Sequence, residues 1–190
     1  MRKLIFSMNT SLDGYIEGPN RELDWTIADA ELHDFFTDLL LTGDVMLWGR
    51  VTYELMLNYW PNASSDPQVT ESELRFANAV NPMKKIVYSK TLNEVRWNTE
   101  LRHTLSLDEI REMKAQSGGN ILLGGGATLA LPFIQNGLVD EYQLVIHPAA
   151  IMNGKALFGG LNKMMKLDLQ WNRRFSSGAV VLCYHEDKKT

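Results

Sequence analysis

The sequence predicts an α/β protein whose central sheet is mostly parallel, carries an antiparallel edge and has helices on both faces. Short apolar segments typical of strands alternate with segments of helical periodicity along most of the chain, and the C-terminal end holds two long strand patterns joined through Ser176-Ser177. With 190 residues, of which 45% are hydrophobic, the chain buries a sizeable core. We therefore expect one domain over residues 1–190.

The first half of the chain begins with a strand, because the compact apolar run after Arg2 ends before the turn dipeptide Asp13-Gly14. From Asp29, apolar residues recur at helical spacing up to Gly43, which predicts a helix with Asp29 as its N-cap. The predicted elements of this half are a strand at Lys3 to Thr10, the helix that Asp29 opens, a strand at Val45 to Trp48, and helices at Thr52 to Tyr59 and Glu71 to Val80.

The second half continues this alternation and closes with antiparallel strands. Ser106 is the predicted N-cap of one helix, and Asn136-Gly137 is the predicted stop of the next. The predicted elements, in order, are a strand at Ile86 to Tyr88, a helix at Leu107 to Gln116, a strand at Asn120 to Leu123, a helix at Ala127 to Gln135, and strands at Glu141 to His147, Lys166 to Phe175 and Gly178 to His185. The last two form a hairpin.

Charge and cysteine usage exclude several classes of partner. The formal net charge is −4, so the chain lacks the positive field that concentrates proteins on nucleic acid or on anionic membranes, and we expect neither partner. Cys183 stands alone, and its spacing from the four histidines matches no metal site, so we expect no metal and a reducing, cytoplasmic location. The apolar runs are too short or too interrupted for a signal peptide or a membrane span.

Candidate ligand-binding residues follow three of the predicted strands. Gly124-Gly125-Gly126 joins a buried strand to the helix that begins at Ala127. Glycines let a backbone approach a ligand closely, and the free N–H groups of the helix favour phosphate. The spacing is neither that of a dinucleotide fingerprint nor that of a phosphate-binding loop with lysine, and a plain strand-to-helix turn is an equal alternative.

The other two strand ends carry cations and hydroxyls. Gly49, Arg50 and Thr52 follow the strand that ends at Trp48, and Ser89-Lys90 follows Tyr88. Arginine pairs bidentately with phosphate, although an arginine taken alone is more typical of a solvated surface, and the alternative for Thr52 is a helix cap. Three phosphate-compatible strand ends in one small protein predict a shared site beyond the sheet.

Five segments occur in an order that resembles dihydrofolate-reductase-like proteins, in particular the branch with the reductase domain of riboflavin biosynthesis and its small single-domain bacterial members. The segments are Ser11 to Ile16, Gly49 to Glu54, Lys85 to Leu92, Gly124 to Leu129 and Gly137 to Tyr142. The resemblance covers Arg2 to about His185. It implies a three-layer α/β/α fold of the dihydrofolate-reductase type.

The resemblance also implies an NADPH site. Arg50 and Thr52, after Gly49, match residues that hold the cofactor phosphates, and Ser89 with Lys90 matches the turn around the adenosine 2′-phosphate. The residues that match the loop beneath the pyrophosphate and nicotinamide are Gly124, Gly125, Gly126, Ala127 and Thr128, with a cis peptide implied between Gly124 and Gly125. Asn9 and Ile16 match backbone positions that hold the nicotinamide carboxamide.

The substrate side follows less directly from the same resemblance. An ungapped count back from Gly49 places His33 where folate-reducing members have a helix carboxylate, with Asp34 beside it, so these two are the catalytic candidates. Phe36 and Thr37 share the helical face of His33 and are candidates for substrate binding. Met56 joins them because Leu55-Met56-Leu57 stands where the riboflavin branch has an acidic pair. The alternatives are a half-buried imidazole at His33 and a solvated carboxylate at Asp34.

The expected activity is transfer of a hydride from NADPH to a C=N or C=O of a small heterocyclic, pyrimidine- or pterin-like substrate, similar to 5-amino-6-(5-phosphoribosylamino)uracil reductase or dihydrofolate reductase. One alternative is an NADP-binding module without turnover, a sensor or partner protein. Another is an α/β protein for a different phosphorylated ligand, with no preference for NADPH over NADH. Relatives commonly pair, so the resemblance also implies a homodimer.

Overall fold

The computed structural model describes residues 1–187. Eight strands belong to a mixed, mostly parallel sheet accompanied by helices and ending in an antiparallel C-terminal hairpin, which confirms the predicted fold class. The chain divides into two compact units, one made of Met1–Lys3 and Ala28–Gly124, the other of Leu4–Ile27 and the residues from Gly125 onward. One domain over residues 1–190 stays a prediction.

The strands, in chain order, are β1 (Leu4–Thr10), β2 (Tyr15–Glu17), β3 (Gly43–Gly49), β4 (Lys84–Tyr88), β5 (Thr99–Arg102), β6 (Asn120–Leu123), β7 (Glu141–Ile146), β8 (Lys155–Ala156), β9 (Leu167–Arg174) and β10 (Val180–Glu186). The α-helices are α1 (Ala30–Leu41), α2 (Arg50–Leu57), α3 (Glu71–Val80), α4 (Leu107–Ala115) and α5 (Ala127–Gln135), with a 3₁₀ helix at Trp60–Ser65. None of the helices within residues 1–187 is both long and apolar enough to cross a bilayer.

In the first unit, four parallel strands lie in the order β5-β4-β3-β6. Strands β3, β4 and β6 are buried on both faces, as expected for parallel strands covered by helices, and Leu47, Val87 and Leu123 are fully excluded from solvent. Strand β5 was not predicted. Its sequence, Thr-Glu-Leu-Arg, has one apolar residue, and only its pairing with β4 makes it a strand.

Local capping fixes the helices of this unit. Asp29 accepts a hydrogen bond from the N–H of Leu32, and Thr70 and Glu73 form a reciprocal capping box at the start of α3. Such interactions depend on residues three apart, so they are readable from the sequence. The predicted bounds of α3 are those observed.

A buried lysine closes the other end of α3. Lys85 is fully excluded from solvent, and its Nζ donates to the carbonyl oxygens of Val80 and Met83 at 2.7 Å each and of Asn81 at 3.3 Å. The same ammonium lies 4.2 Å from the ring centroid of Trp97. The carbonyls and the ring satisfy the charge, while burial lowers the pKa of Lys85 to about 8.

In the second unit, strand β1 pairs in parallel with β7, and β10 then β9 continue the order as antiparallel neighbours. A separate two-stranded ribbon joins β2 to β8. Neither strand of this ribbon was predicted, because three and two residues are too short to show a period. The hairpin of β9 and β10 confirms the prediction for the C-terminal segments.

Candidate functional site

Three strand ends of the first unit lie side by side. In the parallel pairing of β3 with β4, Gly49 is opposite Tyr88, and in the pairing of β3 with β6, Leu47 is opposite Leu123. The N–H of Gly124 donates to the carbonyl of Leu47 at 3.1 Å, which extends this register by one residue. The loops after β3, β4 and β6 therefore begin at one edge of the sheet, as the sequence predicted.

The first of these loops passes directly into helix α2. Gly49 is the N-cap residue, in an extended conformation, and no side chain accepts a hydrogen bond from the first turn of the helix. The N–H groups of that turn therefore point outward without a side-chain acceptor, which favours an anion. Thr52 lies within the helix and does not cap it.

Arg50, the first residue of α2, already has a carboxylate partner. Its Nη1 donates to Oε2 of Glu54 at 2.7 Å, one helical turn along, and both side chains are more than one-third exposed. An exposed pair of this kind contributes about 0.3–0.5 kcal/mol. Arg50 can therefore exchange Glu54 for a phosphate at small cost.

The loop after β4 is a compact turn built on Ser89. The buried hydroxyl of Ser89 accepts hydrogen bonds from the N–H groups of Thr91 and Leu92 at 3.1 and 3.0 Å. Its oxygen is thus used to shape the turn, while Lys90 next to it is exposed. Ser89 therefore determines the shape of this turn, and Lys90 provides its positive charge.

His103 is a candidate that sequence reasoning missed. It follows β5, the unpredicted strand, and its Nδ1 lies 2.9 Å from the carbonyl oxygen of Ser89. Because a carbonyl can only accept, Nδ1 carries the proton and Nε2 is left as an acceptor unless the ring is charged. The exposed imidazole therefore joins Lys90 at the turn after β4.

Gly124 is a glycine for reasons of packing. A Cβ at this position would lie 2.6 Å from Nε1 and 3.0 Å from Cδ1 of Trp48, whose side chain is fully buried. The backbone thus passes directly against an indole that cannot move aside. Any side chain here would displace the end of β6.

In the second unit, the remaining glycines lead into α5. The cis peptide lies between Gly125 and Gly126, so its predicted position between Gly124 and Gly125 is wrong by one residue. Gly124 is still hydrogen-bonded to the sheet, and the chain leaves the strand only after it. Gly126 is the N-cap of α5 and has no side-chain cap, Ala127 is buried, and Thr128 is exposed.

The space around Gly126 is open on the side of its missing Cβ. The nearest atom to a Cβ built there is Cδ1 of Ile16, at 3.8 Å, which is an ordinary contact distance. Packing within the second unit therefore does not require glycine at this position, in contrast to Gly124. Backbone that is open and close to Ile16 suits the approach of a flat ligand.

Asn9, near the carboxyl end of β1, is held by a histidine that the sequence did not single out. Nε2 of His147 lies 3.0 Å from Oδ1 of Asn9, and the N–H of Ile27 donates to Nδ1 of the same ring at 3.0 Å. His147 is fully buried, and the Trp25 ring meets it edge to face with centroids 5.6 Å apart. The partners are 138 and 120 residues from His147, so no local signal points to this cluster.

The loop between β1 and β2 is tied down by Asp13. Its carboxylate accepts hydrogen bonds from the Ser11 hydroxyl at 2.6 Å and from the N–H groups of Ile151 and Met152. The hydrogen bond from Ser11, above all, holds the pKa of Asp13 below its ordinary value. Asp13 thus acts as an anchor for this loop.

The two catalytic candidates both have structural partners on neighbouring helices of the first unit. The His33 ring meets Trp60 edge to face at 5.8 Å and lies 6.2 Å from Phe76, and desolvation lowers its pKa. The carboxylate of Asp34 pairs with Arg75 of α3 at 2.5 Å. The half-buried ring of His33 matches the alternative given for it, whereas Asp34 is ion-paired rather than simply solvated, and the catalytic role of both residues stays a prediction.

The three substrate candidates also lie in the first unit. Phe36 is half-buried beside Phe35, and Met56 is half-buried on α2. The hydroxyl of Thr37 donates to the carbonyl of His33 at 2.8 Å, within its own helix. The hydroxyl proton of Thr37 is therefore already used in a backbone hydrogen bond, while Phe36 and Met56 offer apolar surface.

Most of the chain matches a known family. Residues 2–181 match the family described as RibD C-terminal domain. The chain belongs to the RibD C-terminal domain family. The uncharacterized protein YyaP of Bacillus subtilis (strain 168) is 40% identical to this chain over 184 residues, covering 97% of this chain and 95% of YyaP. A second Bacillus subtilis protein, the uncharacterized YwjB, is 26% identical over 190 residues, which cover 96% of this chain and 97% of YwjB.

Solved structures agree with the family in fold. The chain superposes on a putative riboflavin biosynthesis protein from Shewanella sp. PV-4 with a TM-score of 0.74 at 22% identity, over 98% of this chain and 99% of that one. A dihydrofolate reductase from Enterococcus faecalis, complexed with NADP(H), gives a TM-score of 0.63 at 14% identity over 98% and 97% of the two chains. The predicted resemblance to this fold family is confirmed.

Each unit, taken by itself, offers groups of a kind that suits a ligand. The first unit offers an uncapped helix N-terminus, an arginine with an exchangeable partner, and an exposed lysine beside an imidazole. The second unit offers open backbone at Gly126. These are donors and cations suited to anionic groups, together with backbone that a flat ring can approach.

Proposed function

We propose that the protein is an NADPH-dependent reductase that transfers a hydride to a C=N or C=O carbon of a small, planar, pyrimidine- or pterin-like substrate. The observation that carries the proposal is the alignment of the strand ends at Gly49, Tyr88 and Gly124 at one edge of the first unit. In α/β sheets, ligands bind beyond the carboxyl ends of the strands. Membership of the RibD C-terminal domain family supports a reductase.

In the first unit, the N–H groups that open α2 and the guanidinium of Arg50 would bind the cofactor phosphates. Lys90, on the turn shaped by Ser89, would bind the 2′-phosphate that distinguishes NADPH from NADH. In the second unit, the backbone of Asn9 and Ile16 and the open Gly126 would receive the nicotinamide. The bound dinucleotide would supply the hydride.

The proton that accompanies the hydride must come from water or from an acid. His33 and Asp34 are the proposed groups that order this water. Burial lowers the pKa of His33, which favours the neutral imidazole, so His33 would accept a hydrogen bond from water and orient it rather than serve as a direct acid.

Titration calorimetry with NADPH and NADH tests the cofactor. We expect NADPH to bind and NADH to bind at least about tenfold more weakly, because Lys90 would lose an ionic partner. Equal affinity for the two nucleotides contradicts the proposed site. Turnover is then measured as oxidation of NADPH with dihydrofolate, 5-amino-6-(5-phosphoribosylamino)uracil, quinones and imines.

A second candidate is an NADP-binding module without turnover. It is favoured by the contacts of the two catalytic candidates, because Asp34 is paired with Arg75 and the His33 ring packs against Trp60. The predicted catalytic position therefore has no unpaired carboxylate in the first unit. This candidate predicts tight binding of NADPH with no oxidation by any of the four substrate classes. Oxidation with one of them excludes it.

We also propose a cytoplasmic homodimer that pairs through its C-terminal edge strand. Strand β9 borders the sheet, and its Leu169 and Trp171 side chains are 50% and 39% exposed. An edge strand with exposed apolar side chains is suited to cover by a second copy. Light scattering should give twice the mass of 21.6 kDa, and Leu169→Glu should reduce it to the monomer.

A further inference from the structure

The hydrogen bonds of His147 determine which way the Asn9 amide faces. A backbone N–H can only donate, so Nδ1 of His147, which receives the N–H of Ile27, carries no proton. The ring is therefore the tautomer with its proton on Nε2, and Nε2 donates to Oδ1 of Asn9. The amide oxygen of Asn9 is thereby used, and its NH₂ group faces away from the imidazole.

Among residues 1–187, no side-chain or backbone acceptor is hydrogen-bonded to this NH₂ group, so it is an aimed donor without a protein partner. The edge-to-face contact of Trp25 and the hydrogen bond from Ile27 prevent the imidazole from turning. The orientation of the donor is consequently fixed before any ligand arrives.

Ser7 lies on the same face of β1, two residues before Asn9. Its Oγ is buried and has no hydrogen-bond partner. Buried hydroxyls without partners are rare, because each loses its hydrogen bonds to water on folding. Because the Ser7 oxygen is excluded from solvent, it is out of reach of a ligand, and the polar group left for a ligand on this strand face is the Asn9 amide.

We propose that the side chain of Asn9, aimed by His147, donates to a carbonyl oxygen of the heterocyclic substrate. The inference rests on the proposed reductase function for the class of substrate. It makes Asn9 a specificity-determining residue through its side chain and His147 a positioning residue. The substrate is then a heterocycle with a carbonyl group opposite the NH₂ group of Asn9. A ring with an amino group at that position would place two donors against each other.

The test uses two pyrimidine probes whose hydrogen-bonding groups are reversed at ring positions 2 and 4 and at the ring nitrogens. 5,6-Diaminouracil presents two ring carbonyls, and 2,4,5,6-tetraaminopyrimidine presents amino groups at the same positions. Binding of each is measured by calorimetry under nitrogen, at a pH where both rings are uncharged, with and without saturating NADPH. We expect the wild type to prefer 5,6-diaminouracil by about tenfold or more, the scale of a hydrogen bond replaced by a donor–donor clash.

Asn9→Asp is the decisive variant. It is nearly isosteric, one carboxylate oxygen still accepts from His147, and the other replaces a donor with an acceptor. We expect the preference to reverse toward 2,4,5,6-tetraaminopyrimidine. Asn162→Asp, at an exposed loop position of the same unit, adds the same charge and should leave the preference unchanged.

His147 is tested by the ratio of the two affinities rather than by affinity alone. His147→Phe frees the amide to rotate, so the preference should fall to within about twofold, while His147→Gln, which can both accept and donate, should restore it. Because His147→Phe can also disturb folding, nitrogen NMR of the wild-type ring provides a second measurement. We expect the proton on Nε2.

Several results overturn the inference. They are a wild type that binds neither probe or binds both equally, an Asn9→Asp variant that keeps the wild-type order, and a ring proton on Nδ1 of His147. Failure of the proposed function looks different, since it appears as absence of NADPH binding. The probe preference is measured without the dinucleotide as well, so the two failures are distinguishable.

Discussion

Replacing Arg50 by alanine should weaken NADPH binding, and the structure sets the size of the effect. A hydrogen bond to a charged group contributes about 1.5–3 kcal/mol. Arg50 must first leave Glu54, to which it is bound at 2.7 Å in an exposed pair worth about 0.3–0.5 kcal/mol. The net loss in Arg50→Ala is about 1–2.5 kcal/mol, roughly a 5- to 70-fold rise in Kd.

The same competition predicts an opposite effect for Glu54→Gln. This variant removes the partner that Arg50 must leave, so affinity for NADPH should rise by up to about twofold. In the Arg50→Ala background the substitution should bring no such gain, because there is no guanidinium left to release. The two single variants and the double variant together form a cycle that isolates this competition.

Calorimetry at two salt concentrations measures these affinities, and Arg111→Ala is the matched control. Arg111 is also paired on a helix surface, with Asp108 at 2.6 Å, but on α4. An Arg50→Ala variant whose Kd for NADPH stays within twofold of the wild type refutes the assignment. So does an Arg111→Ala variant that binds as weakly as Arg50→Ala, because the effect would then be one of net charge.

Three further predictions concern individual side chains. Gly124→Ala should lower the free energy of unfolding by about 1–3 kcal/mol, because its Cβ would meet buried Trp48 at 2.6 Å. Gly126→Ala should cost about 1 kcal/mol or less, since alanine is a poorer N-cap residue than glycine, yet it should weaken NADPH binding; thermal melts and calorimetry compare the two variants. Burial lowers the pKa of Lys85 to about 8, so between that pH and about 10.4 the unfolded chain binds more protons than the folded one. The stability of the wild type relative to Lys85→Met should therefore rise over this pH range by up to about 3 kcal/mol. A difference between the two proteins that stays constant with pH in denaturant titrations contradicts this prediction. His33→Phe should lower the turnover of NADPH. Protonation of His33 should slow the wild type below about pH 6.5, the ordinary pKa of histidine, and the variant should lack this pH dependence. A pH profile that is the same in both proteins excludes His33 from proton delivery.

Helix boundaries were the most predictable part of the fold. Helix α3 begins after Thr70 because Thr70 and Glu73 cap it, and Pro82 prevents its continuation, all within a few residues. Helix α2 begins two residues before the predicted Thr52, because Gly49 rather than a hydroxyl residue is its N-cap. The strand β5 was missed, since its polar sequence becomes a strand only beside β4.

Part of the candidate site was likewise predictable from the sequence and part was not. The three strand ends and their glycines and cations were readable, because buried apolar strands and the residues that follow them are contiguous in the chain. The partners of these side chains were not. Arg75 for Asp34, Trp60 for His33 and His147 for Asn9 are brought close by packing between distant segments.

The sequence alone determined the α/β class, the order of its main strands and helices, and the edge at which the candidate ligand-binding residues collect. Those features depend on periodicity, capping and turn residues within about one helical turn or one strand. Tertiary structure decided which groups remain available for chemistry. The Asn9 amide and the His147 proton are oriented only when β1, β7 and the segment before α1 meet within the second unit, because a hydrogen bond needs both partners at about 3 Å whatever their separation along the chain.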